Sequence, residues 1–186
     1  MKRHDLEHLI RAASAITNEY EVLIIGSQSI LGAYPEAPDE LLISRAADIA
    51  PYGPSSDPER LSDLIDGTIG EDSPFDKNYG YYAQGVSQDT AVLPAGWKDR
   101  LVRVQSRATD MKIGYCLEPH DLAIAKLVAG REKDHHFVRA LLSHGLVFAA
   151  VLKERLQNTS ISKEHRSTIE AWIQRNTPEA RSRPRP

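Results

Sequence analysis

The chain has 186 residues, the size of one domain, and its 41% hydrophobic content is normal for a globular protein. Its 23 basic and 26 acidic residues nearly balance and its mean hydropathy is −0.41, which excludes charge-driven disorder and a strongly basic nucleic-acid coat. The single cysteine, Cys116, excludes an intramolecular disulfide and a cysteine-rich zinc site.

The location of the protein is predicted from two further features of the chain. The charged start MKRHDLEH lacks the apolar segment of a secretory signal. No run approaches the roughly 18 consecutive apolar residues of a membrane-spanning helix. We therefore expect a cytoplasmic protein with no membrane contact.

Helix and strand patterns alternate in the first two thirds of the chain. Apolar residues recur at helical spacing over 5–17, which predicts an amphipathic helix. The apolar run EVLII predicts a buried strand over 21–25, and a short helix over 27–33 follows it directly. The other predicted elements of this part are strands at 46–50, 79–84, 101–105 and 113–117 and a helix at 59–65 with Asp57 as its cap.

After residue 117 the pattern is helical only. Pro119 suits the first turn of a helix that runs towards Gly130, and further helices are predicted at 132–143, 148–156 and 163–174. Residues 177–186 end in RSRPRP without an apolar anchor, and we expect this tail to be disordered. The predicted class is α+β, with a small mixed sheet flanked by helices over 1–117 and a helical subdomain packed on it over 118–176.

A sharp strand-to-helix turn falls at Gly26-Ser27. Such a turn aims backbone N–H groups and the Ser27 hydroxyl at one point, where the start of the helix carries partial positive charge. Glycine lets an anion approach the backbone, so a triphosphate can rest there. A purely structural alternative stays open, in which Gly26 turns the chain and Ser27 caps the helix.

Asp48 is a lone carboxylate in the apolar segment AADIA. Aspartate is depleted in strands, and its burial is costly unless the carboxylate is paired or holds a metal ion. The sequence therefore predicts a partner for Asp48, either a cationic group or a metal ion.

The strand that ends in Gly26-Ser27, the short helix and the later strand with Asp48 resemble the nucleotidyltransferase superfamily with the DNA polymerase beta type fold. In that superfamily a strand ends in Gly-Ser or Gly-Gly, and a second strand carries Asp-x-Asp. More closely, the chain is similar over about Leu6 to Leu142 to an uncharacterised bacterial nucleotidyltransferase-like family near the AbiEii group of abortive-infection toxins. The resemblance implies a sheet of nucleotidyltransferase type, a nucleoside triphosphate (NTP) substrate, and Mg²⁺ or Mn²⁺ held by a catalytic Asp48.

Two other segments carry the resemblance. Residues 93–101, LPAGWKDRL, resemble a Leu-Pro-x-Gly-Trp-x-x-Arg-Leu segment, in which we expect Trp97 to pack a turn and Arg100 to find a carboxylate. Residues 117–134 resemble the Asp-Leu-x-x-x-Lys-Leu…Arg-x-Lys-Asp block of AbiEii-like proteins. This second match is the more specific.

The resemblance gives the 117–134 block a role in phosphate binding. Lys126 and Lys133 are seven residues apart and share a face in a continuous helix, and Arg131 projects nearby after the bend at Gly130. We expect these cations to contact the triphosphate and stabilise the departing pyrophosphate, with Lys126 as a catalytic residue. We also expect Lys126→Ala to weaken triphosphate binding or transfer about tenfold or more with little change in stability.

Asp121 and Lys112 complete the predicted nucleotide-binding set. Lys112 adds another cation, and Asp121 belongs to the matched block. A structural alternative stays open, in which Asp121 only stabilises the start of its helix through the helix dipole. In the same alternative a solvated face of balanced charge is formed by Glu132, Lys133, Asp134 and Arg139.

The chain departs from the superfamily pattern at position 50, where Ala50 replaces the second carboxylate of Asp-x-Asp. Two-metal nucleotidyl transfer needs carboxylates that clamp both ions, so this change weakens the arrangement. The spacing from Ser27 to Asp48 is also long for the superfamily, and Asp39-Glu40 is a rival pair at the more usual distance. The candidates for a further acid are Asp66, Glu71 and Asp76.

Other kinds of site have weaker support. The histidines lack the spacing of helical zinc ligands, so we expect no zinc site. The turn GSQSI lacks the following glycine of a serine hydrolase. The segment Tyr79-Gly80-Tyr81-Tyr82 could stack a base, but alternate tyrosines in a strand are more typical of packing.

Two functional hypotheses follow. In the first, the protein binds an NTP with Mg²⁺ and transfers a nucleotide to a hydroxyl of an RNA, with tRNA as one candidate, or of a protein. The resemblance to toxins adds a toxin or phage-defence role and an antitoxin partner. In the second, which Ala50 motivates, a catalytically degenerate nucleotidyltransferase fold serves as a nucleotide-binding or protein-interaction module.

Overall fold

The computed structural model describes residues 1–53 and 57–177, so residues 178–186 of the predicted tail lie outside it. Short 3-10 helices cover Ser27–Ser29, Asp39–Leu41, Gln88–Thr90 and Trp97–Arg100. The helices and strands in chain order are α1 (Arg3–Thr17), β1 (Glu21–Ile24), α2 (Ile30–Ala33), β2 (Ala46–Pro51), α3 (Pro58–Ile69), α4 (Pro74–Tyr79), β3 (Tyr82–Gly85), β4 (Val102–Val104), β5 (Ile113–Cys116), α5 (Pro119–Ala129), α6 (Glu132–Ser143), α7 (Ala149–Gln157) and α8 (Lys163–Asn176).

The strands form one five-stranded mixed sheet in the order β3-β2-β1-β5-β4. β1 pairs antiparallel with β2 and parallel with β5, and Ile24 at the end of β1 lies opposite Ile49 of β2. This pairing brings the Gly26-Ser27 turn beside Asp48. The predicted α+β class with a mixed sheet flanked by helices is confirmed.

One face of the sheet is covered by α1, α2 and α3, and α1 contacts both of the other helices. Gly114 of β5 lies directly against Ile10 of α1 and beside Ile24, so Ile24 and its partner Ile49 face α1. Side chains alternate along a strand, so Asp48 projects from the opposite face. Ala47 and Ile49 therefore stay in the core, while the Asp48 carboxylate is free to line a site.

The elements differ from the prediction mainly around residue 79. The predicted strand at 79–84 is wrong in its first half, because residues 74–79 form α4 and β3 begins only at Tyr82. Ser73 caps α4 by accepting a hydrogen bond from the Asp76 amide, and Gly80 ends the helix with a φ of 76°. α3 also continues to Ile69, beyond its predicted end.

The four helices after the sheet begin at α5, whose cap Glu118 accepts hydrogen bonds from the His120 and Asp121 amides. Gly130 ends α5 with a φ of 67°, a left-handed conformation that favours glycine. α6 starts two residues later, so its first turn lies near the end of α5. α5 packs on α6, α7 and α8 and also contacts α2 and the Ser27–Ser29 helix.

The described residues include no helix that is long and apolar enough to cross a membrane.

Candidate functional site

A cleft of about 830 Å³ separates the end of β1 and the start of β2 from the helices α5 and α6. The sheet wall of the cleft is formed by Ser27, Ser44, Ala46 and Asp48. The helical wall includes Lys126, Arg131, Lys133, Asp134, Phe137 and Ala140. Together these walls bring five of the sequence-predicted site residues to one cavity. Gly26 does not line the cavity itself, but it lies directly against the carboxyl group of Asp48, which does.

Gly26 is required because of the space it leaves for Asp48. Its φ of −78° is accessible to any residue, but a Cβ atom at position 26 would collide with the Asp48 carboxyl group. Gly26, and not Ser27, is the cap residue of the Ser27–Ser29 helix, and no side chain caps this helix. The predicted alternative in which Ser27 caps the helix is therefore wrong, and the Ser27 side chain lines the cleft instead.

Asp48 is a half-buried carboxylate that faces cations. In the described part of the chain it makes no hydrogen bond or ion pair through its side chain. Burial raises the pKa of Asp48, and the charges of Lys126, Arg131 and Lys133 oppose this rise. The cationic groups are therefore close enough to act on the carboxylate while leaving its oxygens available to a ligand.

Lys126 and Arg131 are organised by Asp134, which is 1% exposed. Lys126 Nζ lies 3.2 Å from Asp134 Oδ1, and Arg131 Nε lies 2.6 Å from Asp134 Oδ2. Burial alone would raise the pKa of Asp134, but the hydrogen bond from Arg131 and the charge of Lys126 hold this pKa below its ordinary value. The alternative that placed Asp134 on a solvated face is wrong.

Lys126 is itself buried, with 9% of its surface exposed. Its ammonium group lies 4.6 Å from the centre of the Phe137 ring, a cation–π distance. Burial lowers the pKa of Lys126, and the neighbouring Asp134 opposes this change. Lys126 is therefore a fixed charge in the wall of the cleft and does not extend along the helix surface.

Lys133 is exposed like Arg131 but differs from both other cations because it has no contact with Asp134. Within the described residues its ammonium group has no ion-pair or hydrogen-bond partner, although it lines the cleft. Its charge is therefore available to an anion without loss of an internal contact.

Two predicted nucleotide-binding residues lie outside the cleft. Lys112 precedes β5, beside the start of β1 and therefore at the other end of the strand from the Gly26 turn, and its ammonium group lies 5.1 Å from the centre of the Tyr20 ring. Asp121 is fully buried, and its carboxylate accepts hydrogen bonds of 2.8 and 3.1 Å from Arg100. The expectation that Arg100 finds a carboxylate is thus confirmed, and these contacts occupy Asp121.

A family model described as "Nucleotidyltransferase of unknown function (DUF6036)" matches residues 4–177. The chain belongs to this family. No curated protein and no solved structure matches the chain. The match spans both the sheet and the helices that follow it, so the predicted membership of the nucleotidyltransferase superfamily is confirmed, and the closer placement near the AbiEii group stays a prediction.

Nucleotidyltransferases typically use an NTP and a divalent metal ion. The residues of this cleft are suited to one metal ion but not to a pair of ions. Mg²⁺ is commonly held by one or two carboxylates together with substrate phosphates, and the unpaired Asp48 meets this need. A two-ion clamp is not supported, because Ala50 is fully buried and does not line the cleft. Among the described residues there is no group of three or more His, Cys, Asp or Glu that could hold a metal ion by itself.

The candidates for a further acid lie elsewhere in the chain. Asp66 accepts a hydrogen bond of 2.8 Å from the Gly85 amide, and Glu71 accepts one from the Tyr82 hydroxyl. Asp76 forms an ion pair with Arg45. None of these three carboxylates lines the cleft. Of the rival pair at 39–40, only Glu40 lines the cleft, where its Oε1 lies 2.5 Å from His144 Nε2.

Sequence reasoning missed Asp134 as a residue of the site and gave Glu40 only as part of the pair that rivals Asp48. The Asp134 signal was present, because Arg131 and Asp134 are three residues apart at the start of a predicted helix, where such a pair can meet. For Glu40 the signal was only the distance of the 39–40 pair from Ser27. The position of Glu40 depends on how the loop before β2 packs against α6, which is a long-range contact.

Proposed function

We propose that the cleft binds a nucleoside triphosphate with a divalent cation, and that the protein transfers the nucleotidyl group to a hydroxyl of an RNA or protein in the cytoplasm. One observation carries the proposal: the unpaired Asp48 at the Gly26-Ser27 turn faces Lys126, Arg131 and Lys133 across one cleft. Its volume of about 830 Å³ lies within the range of small-molecule sites. The predicted unit 1–117 supplies one wall and the predicted unit 118–176 the other.

The charges of the cleft match those of a metal-bound triphosphate. Lys133 and Arg131, at the start of α6, offset phosphate charge, and the fixed Lys126 stabilises the pyrophosphate as it departs. The Ser27 hydroxyl donates to a phosphate oxygen. Asp48 holds the divalent cation, which when bound neutralises and orients the phosphates.

The transfer makes one bond and breaks one. The acceptor hydroxyl oxygen bonds to the α-phosphorus, and the bond from that phosphorus to the bridging oxygen of the β-phosphate breaks. Pyrophosphate leaves with the electron pair, and the hydroxyl proton passes to solvent. The chain's own residues position the phosphates and stabilise the leaving group, which suits a reaction that depends mainly on positioning and electrostatics.

Label transfer tests this proposal. The protein is incubated with each of the four α-labelled NTPs, Mg²⁺ or Mn²⁺, and either total RNA or cell lysate. We expect label on an RNA or protein with the wild type and none with Asp48→Asn. The absence of label transfer by the wild type under all of these conditions would exclude the transferase activity.

A second candidate function is favoured by Ala50, a fully buried residue that stands where the superfamily motif has its second carboxylate. In this candidate the fold binds a nucleotide without turnover and acts as a binding or protein-interaction module. It predicts metal-dependent NTP binding that is lost in Asp48→Asn, with no label transfer in any of the reactions above.

The biological role we propose is that of a toxin in phage defence, held in check by an antitoxin, with tRNA as a candidate acceptor. It rests on the resemblance of residues 117–134 to AbiEii-like proteins. Expression of the wild type alone should slow bacterial growth, whereas Asp48→Asn should not. Equal growth of the two strains at equal protein levels would contradict the toxin role and leave the nucleotide chemistry untouched.

A further inference from the structure

The cleft has two ends of different chemistry, joined by one face of α6. This helix has 12 residues, so its face is about 18 Å long at about 1.5 Å per residue. Arg131, Lys133 and the nearby Lys126 make the first end cationic. Ala140 and Ser143 line the second end, together with Leu41 and Ile43 of the loop before β2. Arg139 also lines the cleft, and its guanidinium group donates a hydrogen bond of 3.0 Å to Asn176 Oδ1 and lies over the Trp172 ring.

Ile43 is held in place with its side chain uncovered. The carbonyl oxygen of Leu42 accepts a hydrogen bond of 2.7 Å from the Met1 amino group, and that of Ser44 accepts one of 3.3 Å from Gln28 Nε2. Ile43 lies between these anchored residues and is nonetheless 80% exposed. When a ligand covers a large apolar side chain that is fixed at the edge of a cleft, the buried apolar surface makes binding more favourable.

Glu40 brings a carboxylate to this second end. Its Oε1 pairs with His144 Nε2, and in the described residues its Oε2 has no hydrogen-bond partner. An ionised carboxylate only accepts hydrogen bonds. A ligand at this end is therefore expected to combine an apolar surface with a hydrogen-bond donor.

We infer that the nucleoside of the triphosphate lies at this second end, with its base between Ile43 and the Ala140–Ser143 part of α6 and with Glu40 accepting from an amino group of the base. The inference rests on the proposed function and adds the base preference to it. A nucleoside triphosphate matches the two ends of the cleft, because its phosphates are charged and its base is flat and largely apolar. Adenine, guanine and cytosine carry an exocyclic amino donor, whereas the N3–H donor of uracil lies between two carbonyl oxygens that a carboxylate repels.

The first test compares Ile43→Ala with Leu64→Ala, a control at an aliphatic residue that is 37% exposed on α3 and outside the cleft. Calorimetry measures the affinity of each variant for ATP, GTP, CTP and inorganic tripolyphosphate, all with Mg²⁺. We expect Ile43→Ala to lose about tenfold in NTP affinity and to keep its tripolyphosphate affinity. Leu64→Ala should match the wild type with every ligand.

Two results would overturn this placement of the nucleoside. One is unchanged NTP affinity in Ile43→Ala, even if transfer to an acceptor falls. The other is an equal loss for NTPs and tripolyphosphate, which would mean that Ile43 acts on the phosphate end. The proposed function fails separately, if neither tripolyphosphate nor any NTP binds the wild type.

The second test concerns the base. The wild type should bind UTP more weakly than ATP, GTP and CTP, and Glu40→Gln, which keeps the size but adds an amide donor, should reduce that difference at least several-fold. His144→Ala is the control, because it removes the contact between His144 and Glu40 and keeps the Glu40 carboxylate. Equal affinity of the wild type for all four NTPs, or the same loss of discrimination in His144→Ala, would overturn the role of Glu40.

Discussion

At the residue scale, Lys126 contributes to stability as well as to the charge of the cleft, because it pairs with the buried Asp134. The sequence prediction expected Lys126→Ala to leave stability nearly unchanged, but Asp134 is 1% exposed and depends on Lys126 and Arg131. A buried carboxylate that loses one of two cationic partners is destabilising. The burial of Lys126 therefore corrects that expectation.

We accordingly predict different outcomes for the two lysines of the cleft. Lys133→Ala should lower NTP affinity about tenfold and leave the melting temperature unchanged, because Lys133 is exposed and has no partner in the described part of the chain. Lys126→Ala should lower NTP affinity and also reduce the free energy of unfolding by about 1 to 3 kcal/mol. Calorimetry and urea unfolding of both variants check this. Equal stability losses in the two variants would contradict the Lys126–Asp134 contact.

The second residue-scale prediction is that Asp48→Asn stabilises the free protein while it abolishes metal-dependent NTP binding. Burial raises the pKa of Asp48 above its ordinary value of 3.8, so the ionised form costs stability at neutral pH. This cost is fully present above the raised pKa and disappears as the pH falls through it towards 3.8.

Thermal melts of the wild type and Asp48→Asn at several pH values measure this effect. The melting temperature of Asp48→Asn should exceed that of the wild type at pH 7, and the difference should shrink as the solution is acidified. A variant that is less stable than the wild type at pH 7 would show that the carboxylate supports the fold and is not reserved for a ligand.

At the scale of the element, the Gly26 turn sets how close the short helix lies to β2. We predict that Gly26→Ala displaces the Asp48 carboxyl group, with which the new methyl group collides, and removes metal-dependent NTP binding. The matched control is Gly67→Ala in α3, where a Cβ atom meets open space and alanine stabilises the helix by about 1 kcal/mol. Full NTP affinity in Gly26→Ala would contradict the contact between the turn and Asp48.

The ends of the elements explain what sequence patterns can predict. β1 and the helices α5 and α6 carry strong local signals, such as the apolar run EVLII, Pro119 and the αL glycine at position 130, and their predicted bounds agree closely with the structure. α4 was missed although Ser73-Pro74 is a typical helix start, because the tyrosines that follow favour a strand. A six-residue helix gives too short a pattern to outweigh them.

The residues of the site also divide into those with a local sequence signal and those placed by long-range packing. Gly26, Ser27 and Asp48 were predictable because a turn and a polar residue in an apolar strand are local features. Ile43 was not, and Glu40 was expected only as a rival to Asp48, because the positions of both depend on packing between the loop before β2 and α6. Asp121 was predicted at the site but pairs with Arg100, a contact between residues 21 positions apart that no local pattern shows.

At the scale of the whole molecule, Asp121 joins three parts of the chain. Its fully buried carboxylate binds Arg100, from the segment before β4, and lies 3.4 Å from Arg155 Nε of α7. These contacts tie the helices after the sheet to the sheet itself, so they support the helical wall of the cleft from behind.

We predict that Arg100→Ala lowers the free energy of unfolding by about 3 kcal/mol, because it leaves a buried charge with one partner fewer. Where the variant is folded, its affinity for tripolyphosphate should equal that of the wild type, since Arg100 does not line the cleft. Urea unfolding measures the first quantity and calorimetry the second. A stable variant that has lost its affinity would place Arg100 in the binding site instead.

The proposed function depends on a metal-bound triphosphate held between Asp48 and the cations at α5 and the start of α6. The most direct measurement is a calorimetric titration of the wild type with non-hydrolysable analogues of the four NTPs, with Mg²⁺ and with EDTA, repeated with Asp48→Asn and Lys133→Ala. We expect binding of at least one analogue by the wild type with Mg²⁺, no Mg²⁺-dependent binding in Asp48→Asn, and about tenfold weaker binding in Lys133→Ala. Binding that is the same with Mg²⁺ and EDTA and in all three proteins, or no binding by the wild type, would contradict the proposed function.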